Sequence, residues 1–315
     1  MHKAPVLSLA SIALISGGII SCGNNADKIQ LATGTVAAES AKVTNSGYSE
    51  ARALDANGQT KKAAKLYGRI ADEQPMSKEA PDARLREAEQ YYKEGDLLRS
   101  FDKYQLFIAR YHNHSKYTEA ITRQSEVTHA ASDGEIQHNF LGLKSDIPRS
   151  KVEKMFIQVR DNAPYGKTAP KAQFGLGEMW QNNNNIEKAI KAYEDLYVRY
   201  PKSSLAPEAL FRVGNLLLEQ TEDGNRNRGN LDTAQTTFTD LTLLYPNSKQ
   251  AKIAKQKIRQ IEQADIQRSF SIAEFYEKKK QHDAAIFYYN EVMDTTKAGS
   301  ELHRLSKQRI AALKN

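Results

Sequence analysis

From Tyr48 onward, apolar residues recur at helical spacing and short polar turns interrupt them. That pattern predicts a succession of amphipathic helices. Five segments repeat one template. A small residue in a first helix is followed three positions later by an apolar one. A second small residue comes twelve positions after the first, then an aromatic four later and an apolar three after that. A proline-type break often follows five positions further on. The copies are Ala51, Leu54, Ala63, Tyr67, Ile70, Pro75; Ala88, Tyr91, Ser100, Tyr104, Phe107, His112; Gly177, Trp180, Ala189, Tyr193, Leu196, Pro201; Gly214, Leu217, Ala234, Phe238, Leu241, Pro246; and Ala273, Tyr276, Ala285, Tyr289, Val292, Lys297. Four copies keep the twelve-residue step. The Gly214 copy takes twenty, which places eight inserted residues near 221–229, where TEDGNRNRG has loop composition.

Each template position has a physical cause. Small residues belong where two helices cross closely, and aromatics fill the space toward the next unit. Proline ends the second helix, because it lacks an N–H and clashes with the preceding turn. The pattern resembles the tetratricopeptide repeat, most plainly in Leu176-Gly177-x-x-Trp180, Ala189, Tyr193 and Pro201. It predicts an all-α solenoid of helical hairpins over 48–315, with five clear repeats and one degenerate. The degenerate unit lies in the middle. Val152, Phe156, Val159 and Pro164 fit a second helix, and Ala120–Ala131 reads as helical. Ser132-Asp133-Gly134 and Pro148 break the chain between them, so a loop is inserted at 132–150. Residues 250–280 lack Gly and Pro and predict one long helix. Leu302, Leu305, Ile310 and Leu313 form the stripe of a terminal capping helix.

The first 47 residues differ in character. Residues 1–21 carry a short positive start and an apolar stretch from Val6 to Ile20, the layout of a secretory signal and too short for a comfortable span. The segment ends Ile19-Ile20-Ser21-Cys22-Gly23, and Cys22 is the one cysteine of the chain. This resembles the lipobox of bacterial lipoproteins, which implies cleavage before Cys22 and acylation of its thiol and new amine. Two or more acyl chains anchor a protein stably without a transmembrane helix. The absence of aspartate after the cysteine leans, by the same resemblance, toward the outer membrane. Residues 22–47 are small and polar with little periodicity and read as a flexible tether.

Net charge is +7, or +6 once Lys3 leaves with the signal, and no basic run is longer than Lys278-Lys279-Lys280. Such dispersed charge does not point to nucleic acid. No HExxH, paired CxxC, GxxxxGK[ST] or GxSxG occurs. His112 and His114 are the closest histidines and sit in a turn, without a carboxylate pattern that would complete a metal site. Neither catalytic residues, metal nor cofactor is expected. Trp180 and the series Tyr48, Leu85, Phe174, Phe211 and Phe270 occupy core positions, so packing accounts for them. A partner-binding groove is expected on the neighbouring face of the first helices, at Arg52, Arg86, Glu89, Tyr92 and Lys93. Arg and Tyr are common binding anchors. A client's terminal carboxylate would lie near Arg86 or Lys93.

The junctions Tyr200-Pro201-Lys202-Ser203-Ser204-x-Ala206-x-x-Ala209 and Tyr245-Pro246-Asn247-Ser248-x-x-Ala251-x-x-Ala254, placed behind a lipidated cysteine and a short tether, resemble the BamD-like lipoproteins of outer-membrane barrel assembly. The resemblance implies a lipid-anchored periplasmic scaffold. Its partners would be the barrel-forming assembly protein, other assembly lipoproteins and unfolded outer-membrane clients. The two inserted loops and Tyr111-His112 in place of Tyr-Pro depart from it. The same junction style occurs in repeat proteins that coordinate envelope division, which leaves a division scaffold as the alternative.

Overall fold

The structure, a computed structural model, describes residues 33–134, 138–140, 143–221 and 228–314. The described helices are α1 (Thr33–Ala56), α2 (Thr60–Glu73), α3 (Ala80–Lys93), α4 (Leu97–Arg110), α5 (Tyr117–Asp133), α6 (Arg149–Asn162), α7 (Thr168–Asn182), α8 (Ile186–Arg199), α9 (Ala206–Gln220), α10 (Arg228–Leu244), α11 (Lys249–Lys278), α12 (His282–Thr295) and α13 (Glu301–Lys314). They pack mainly against sequence neighbours, as in a solenoid of helical hairpins. The degenerate middle repeat is the hairpin α5–α6. Its insertion carries two short antiparallel strands, β1 (His138–Phe140) and β2 (Leu143–Ser145), with Asn139 opposite Lys144. The sequence reading foresaw a loop and no strand there. Runs of three residues are too short for alternation to register.

The template positions explain the core. The aromatics Tyr67, Tyr104, Tyr193, Phe238 and Tyr289 are all buried, and Tyr193 and Phe238 lie against the glycine of their own first helix. A Cβ on Gly177 would stand 2.5 Å from Tyr193 Cε1, and one on Gly214 would stand 2.5 Å from Phe238 Cε1. The residue three before that small one closes the other side. Ring centroids of Tyr48–Tyr67, Phe174–Tyr193, Phe211–Phe238 and Phe270–Tyr289 lie 5.7, 5.3, 5.9 and 5.5 Å apart. These residues pack, as the sequence reading expected. Trp180 is part-buried between two core clusters, with Lys188 Nζ 3.9 Å from its ring centre.

The turn within four of the hairpins also repeats. Gly58, Gly95, Asn184 and Lys280 take the left-handed conformation, with φ of 70°, 77°, 55° and 59°. The next residue's N–H reaches back to the carbonyl of Leu54, Tyr91, Trp180 or Tyr276 in turn, at 2.9 to 3.0 Å. This is a Schellman-type helix end, and its acceptor is the template's apolar position. Between hairpins, the junction tyrosine ties one repeat to an earlier one. The Tyr111 hydroxyl donates to Pro75 O at 3.0 Å, and that of Tyr245 to Pro201 O at 2.9 Å.

Residues 1–21 and Cys22 lie outside the described residues. The tether assigned to 22–47 is corrected over its second part, because α1 already begins at Thr33. Val36-Ala37-Ala38-Glu39-Ser40-Ala41-Lys42 is rich in good helix formers but carries no apolar stripe. Helix propensity and periodicity are separate signals, and only the second was weak there. At the other end the expected long helix is α11. Its first half buries Ala251, Ala254 and Ile261, with Ala254 and Ile261 in the cluster of α8 to α10. Its second half buries Phe270 and Ala273 in a separate cluster with Tyr289, Val292 and Ile310. No residue from 262 to 269 is fully buried. No helix among the described residues is long and apolar enough to cross a membrane.

Candidate binding groove

Four of the five residues expected in a groove come together. Arg86, Glu89, Tyr92 and Lys93 of α3 line one cleft of ≈ 310 Å³ with Tyr104 of α4 and Arg123, Glu126 and Val127 of α5. Arg52 does not line it. It lies on α1 near Tyr48 and Tyr67, whose hydroxyls both feel its charge. Burial pushes the Tyr67 hydroxyl up to about 12, so it stays protonated and available as a donor.

The cleft is lined by two matched ion pairs. Arg86 Nη1 donates to Glu89 Oε2 at 2.9 Å, and Arg123 Nη1 to Glu126 Oε2 at 2.9 Å. Both pairs are part-exposed, so each adds little to stability. Their guanidiniums can exchange a tethered glutamate for an incoming carboxylate at small cost. Glu89 holds the Arg86 proton more firmly than usual. Beneath them Tyr104 is buried, and that burial raises its hydroxyl well above the usual range. Lys93 reaches back to α1 through Asp55 at 3.0 Å, and Lys116 ties the start of α5 to Asp82 of α3 at 2.8 Å. The face therefore offers charged donors, a phenol and an apolar edge in a fixed frame, which suits binding a polypeptide. Among the described residues no group of three or more His, Cys, Asp or Glu stands together as metal ligands. His114 accepts a backbone bond from Lys116 and stacks edge-on to Phe107.

Sequence reasoning missed Arg123, Glu126, Val127 and Tyr104 as groove residues. A signal was present: Arg123 and Glu126 follow Arg86 and Glu89 by 37 residues, the step that also separates Ala51 from Ala88. It also missed what holds α3 in place. Behind the groove Arg84 and Glu87 are buried, Arg84 bonds both Glu87 and Asp72, and Lys103 approaches Glu87 at 2.8 Å. Gly68 makes the room, since a Cβ there would lie 2.5 Å from Glu87 Oε1.

Comparison with known proteins adds a family. Residues 144–310 match the model of YfiO, described as an outer membrane lipoprotein. No curated protein matches the chain. Among solved structures, a tetratricopeptide repeat protein from Parabacteroides merdae is 12% identical, with TM-score 0.34, over 87% of this chain and 100% of that one. The apo form of RapI is 11% identical, with TM-score 0.37, over 85% and 73%. PilF of Pseudomonas aeruginosa is 11% identical, with TM-score 0.32, over 86% and 99%.

Proposed function

This chain belongs to the YfiO outer membrane lipoprotein family, and we propose that it is a lipid-anchored, non-enzymatic scaffold of β-barrel assembly on the periplasmic face of the outer membrane. Cys22 carries the acyl chains, and residues 1–21 are removed. The array binds the barrel-forming assembly protein, fellow lipoproteins and unfolded clients. The observation that carries the reading is the convergence of Arg86, Glu89, Tyr92 and Lys93 on one cleft with a second Arg–Glu pair across it. An extended client segment lies along α3 and α5. Its carboxylate displaces Glu89 or Glu126 from its arginine, a charge-assisted and bidentate exchange, while an aromatic side chain rests against Tyr92 and Val127. Arg52, one hairpin away, extends the same path.

Co-purification from detergent-solubilised membranes tests the partner class. Recovery of a barrel-forming protein is expected, and recovery of peptidoglycan-synthesis enzymes alone would favour the division scaffold instead. Within the groove, Arg86→Glu with Arg123→Glu is expected to weaken client cross-linking about tenfold or more, with helical content unchanged. Unaltered cross-linking would remove the groove from the proposal. Mass spectrometry of the mature chain checks acylation at Cys22.

A further inference from the structure

A larger cleft, ≈ 760 Å³, lies between the α6–α7 turn and the α8–α9 turn, away from the groove on α3 and α5. Its walls carry Lys167, Lys171, Arg199 and Lys202, and no carboxylate lines it. All four cations are exposed, and none forms an ion pair among the described residues. In the α3–α5 groove, by contrast, each arginine is matched by a glutamate. Asp161, whose charge reaches Tyr200, is held by Arg160 at 2.8 Å. The ring of Tyr165 is fully exposed at the mouth, where it supports no core, and Tyr200 is half-buried in the wall.

Both walls are stiff. Gly166 N donates to Ala163 O at 2.8 Å, and Ser203 N to Tyr200 O at 2.9 Å. Pro201 O is held by the Tyr245 hydroxyl at 2.9 Å. The helices α7 and α9 start at these turns, so their N-terminal dipoles add to the positive potential. A cleft of this size, with prolines and aromatic rings in its walls and charge at its rim, has the composition of a site for an extended peptide. A bilayer surface would meet the lysines on a protruding face, not in a concave site walled largely by apolar atoms.

We propose that this cleft docks an acidic, extended segment of a partner protein. Its carboxylates pair with Lys167, Lys171, Arg199 and Lys202, and an apolar side chain seats between Tyr165 and Tyr200. The inference stands apart from the reading of the α3–α5 groove.

The test uses the full chain in its membrane, with a photoreactive phenylalanine analogue at position 165. The probes are a short peptide alternating glutamate with leucine and its counterpart with lysine for glutamate. Saturable capture of the acidic peptide is expected, with little capture of the basic one. Lys171→Gln with Arg199→Gln should weaken capture about tenfold, and Lys171→Arg with Arg199→Lys should restore most of it. The melting curve confirms that each variant is folded. Arg86→Glu should leave capture at position 165 unchanged, which separates this cleft from the α3–α5 groove. Equal capture of both peptides, no capture of either, indifference to the double variant, or cross-links to phospholipid in place of peptide would each overturn the proposal.

Discussion

Gly177 and Gly214 occupy the small-residue position under Tyr193 and Phe238, and neither ring leaves space for a methyl group. Alanine at either site forces the ring or the helix crossing to move, a change that costs about 1–3 kcal/mol. Thermal melts of Gly177→Ala and Gly214→Ala should show that loss. This much was legible, because a small residue twelve positions before another is a spacing that few other folds need. His129 was not legible. It sits edge-on to Phe156, with centroids 5.1 Å apart, and burial lowers its pKa below the ordinary 6.5. Asp133 opposes that shift, and Lys171 adds to it. The unfolded chain therefore takes up this proton first as the pH falls. The stability due to the neutral buried ring is complete above about pH 7 and declines below 6.5 toward the lower folded value. His129→Leu should flatten the pH dependence of the melting temperature over that window. A slope unchanged by the substitution would mean that other groups set it. Nothing in the one-dimensional pattern distinguishes a histidine against a phenylalanine ring from one in water.

At the scale of single helices, α3 does two tasks on opposite faces. One face presents Arg86, Glu89, Tyr92 and Lys93 to the cleft. The other buries Arg84 and Glu87 in the network that reaches Asp72 and Lys103. Removing one member strands a buried charge, which typically costs about 3–5 kcal/mol. Glu87→Ala is expected to fall in that range in chemical denaturation, and Gly68→Ala should destabilise through the same carboxylate without touching any charge. A loss near zero for both would show that water reaches the network. The groove face of α3 could be read from the sequence, since it follows from helical angle alone. The buried face could not, because Arg84 and Glu87 break the rule that charges stay outside. The start of α1 was misjudged for the converse reason: alanine-rich sequence can form a helix before it has anything to bury. The recurring left-handed turn was hidden as well, because Lys280 and Asn184 fill a position that glycine marks in the earlier repeats.

For the whole molecule the informative element is α11, whose two halves belong to two hydrophobic clusters. Around its second half, α12 and α13 close a unit of their own. The Tyr289 hydroxyl donates to Glu277 at 2.6 Å, and Arg309 pairs with the same carboxylate at 3.1 Å. The sequence announced the length of α11 by its lack of Gly and Pro, but not that its buried side changes partway. Proline at Gln263, an exposed position between the clusters, breaks the helix by removing a backbone hydrogen bond and clashing with the carbonyl of Arg259. Gln263→Pro should split one calorimetric transition into two, the smaller belonging to residues 266–314. A single transition would mean that the units remain coupled by other contacts. Each residue of an α-helix advances the azimuth by about 100° and the axis by about 1.5 Å. Insertion or deletion of one codon between 262 and 265, ahead of Ile266, would thus swivel the final three-helix block like a dial on a shaft, leaving both clusters intact and presenting another side of that block to whatever lies beyond it.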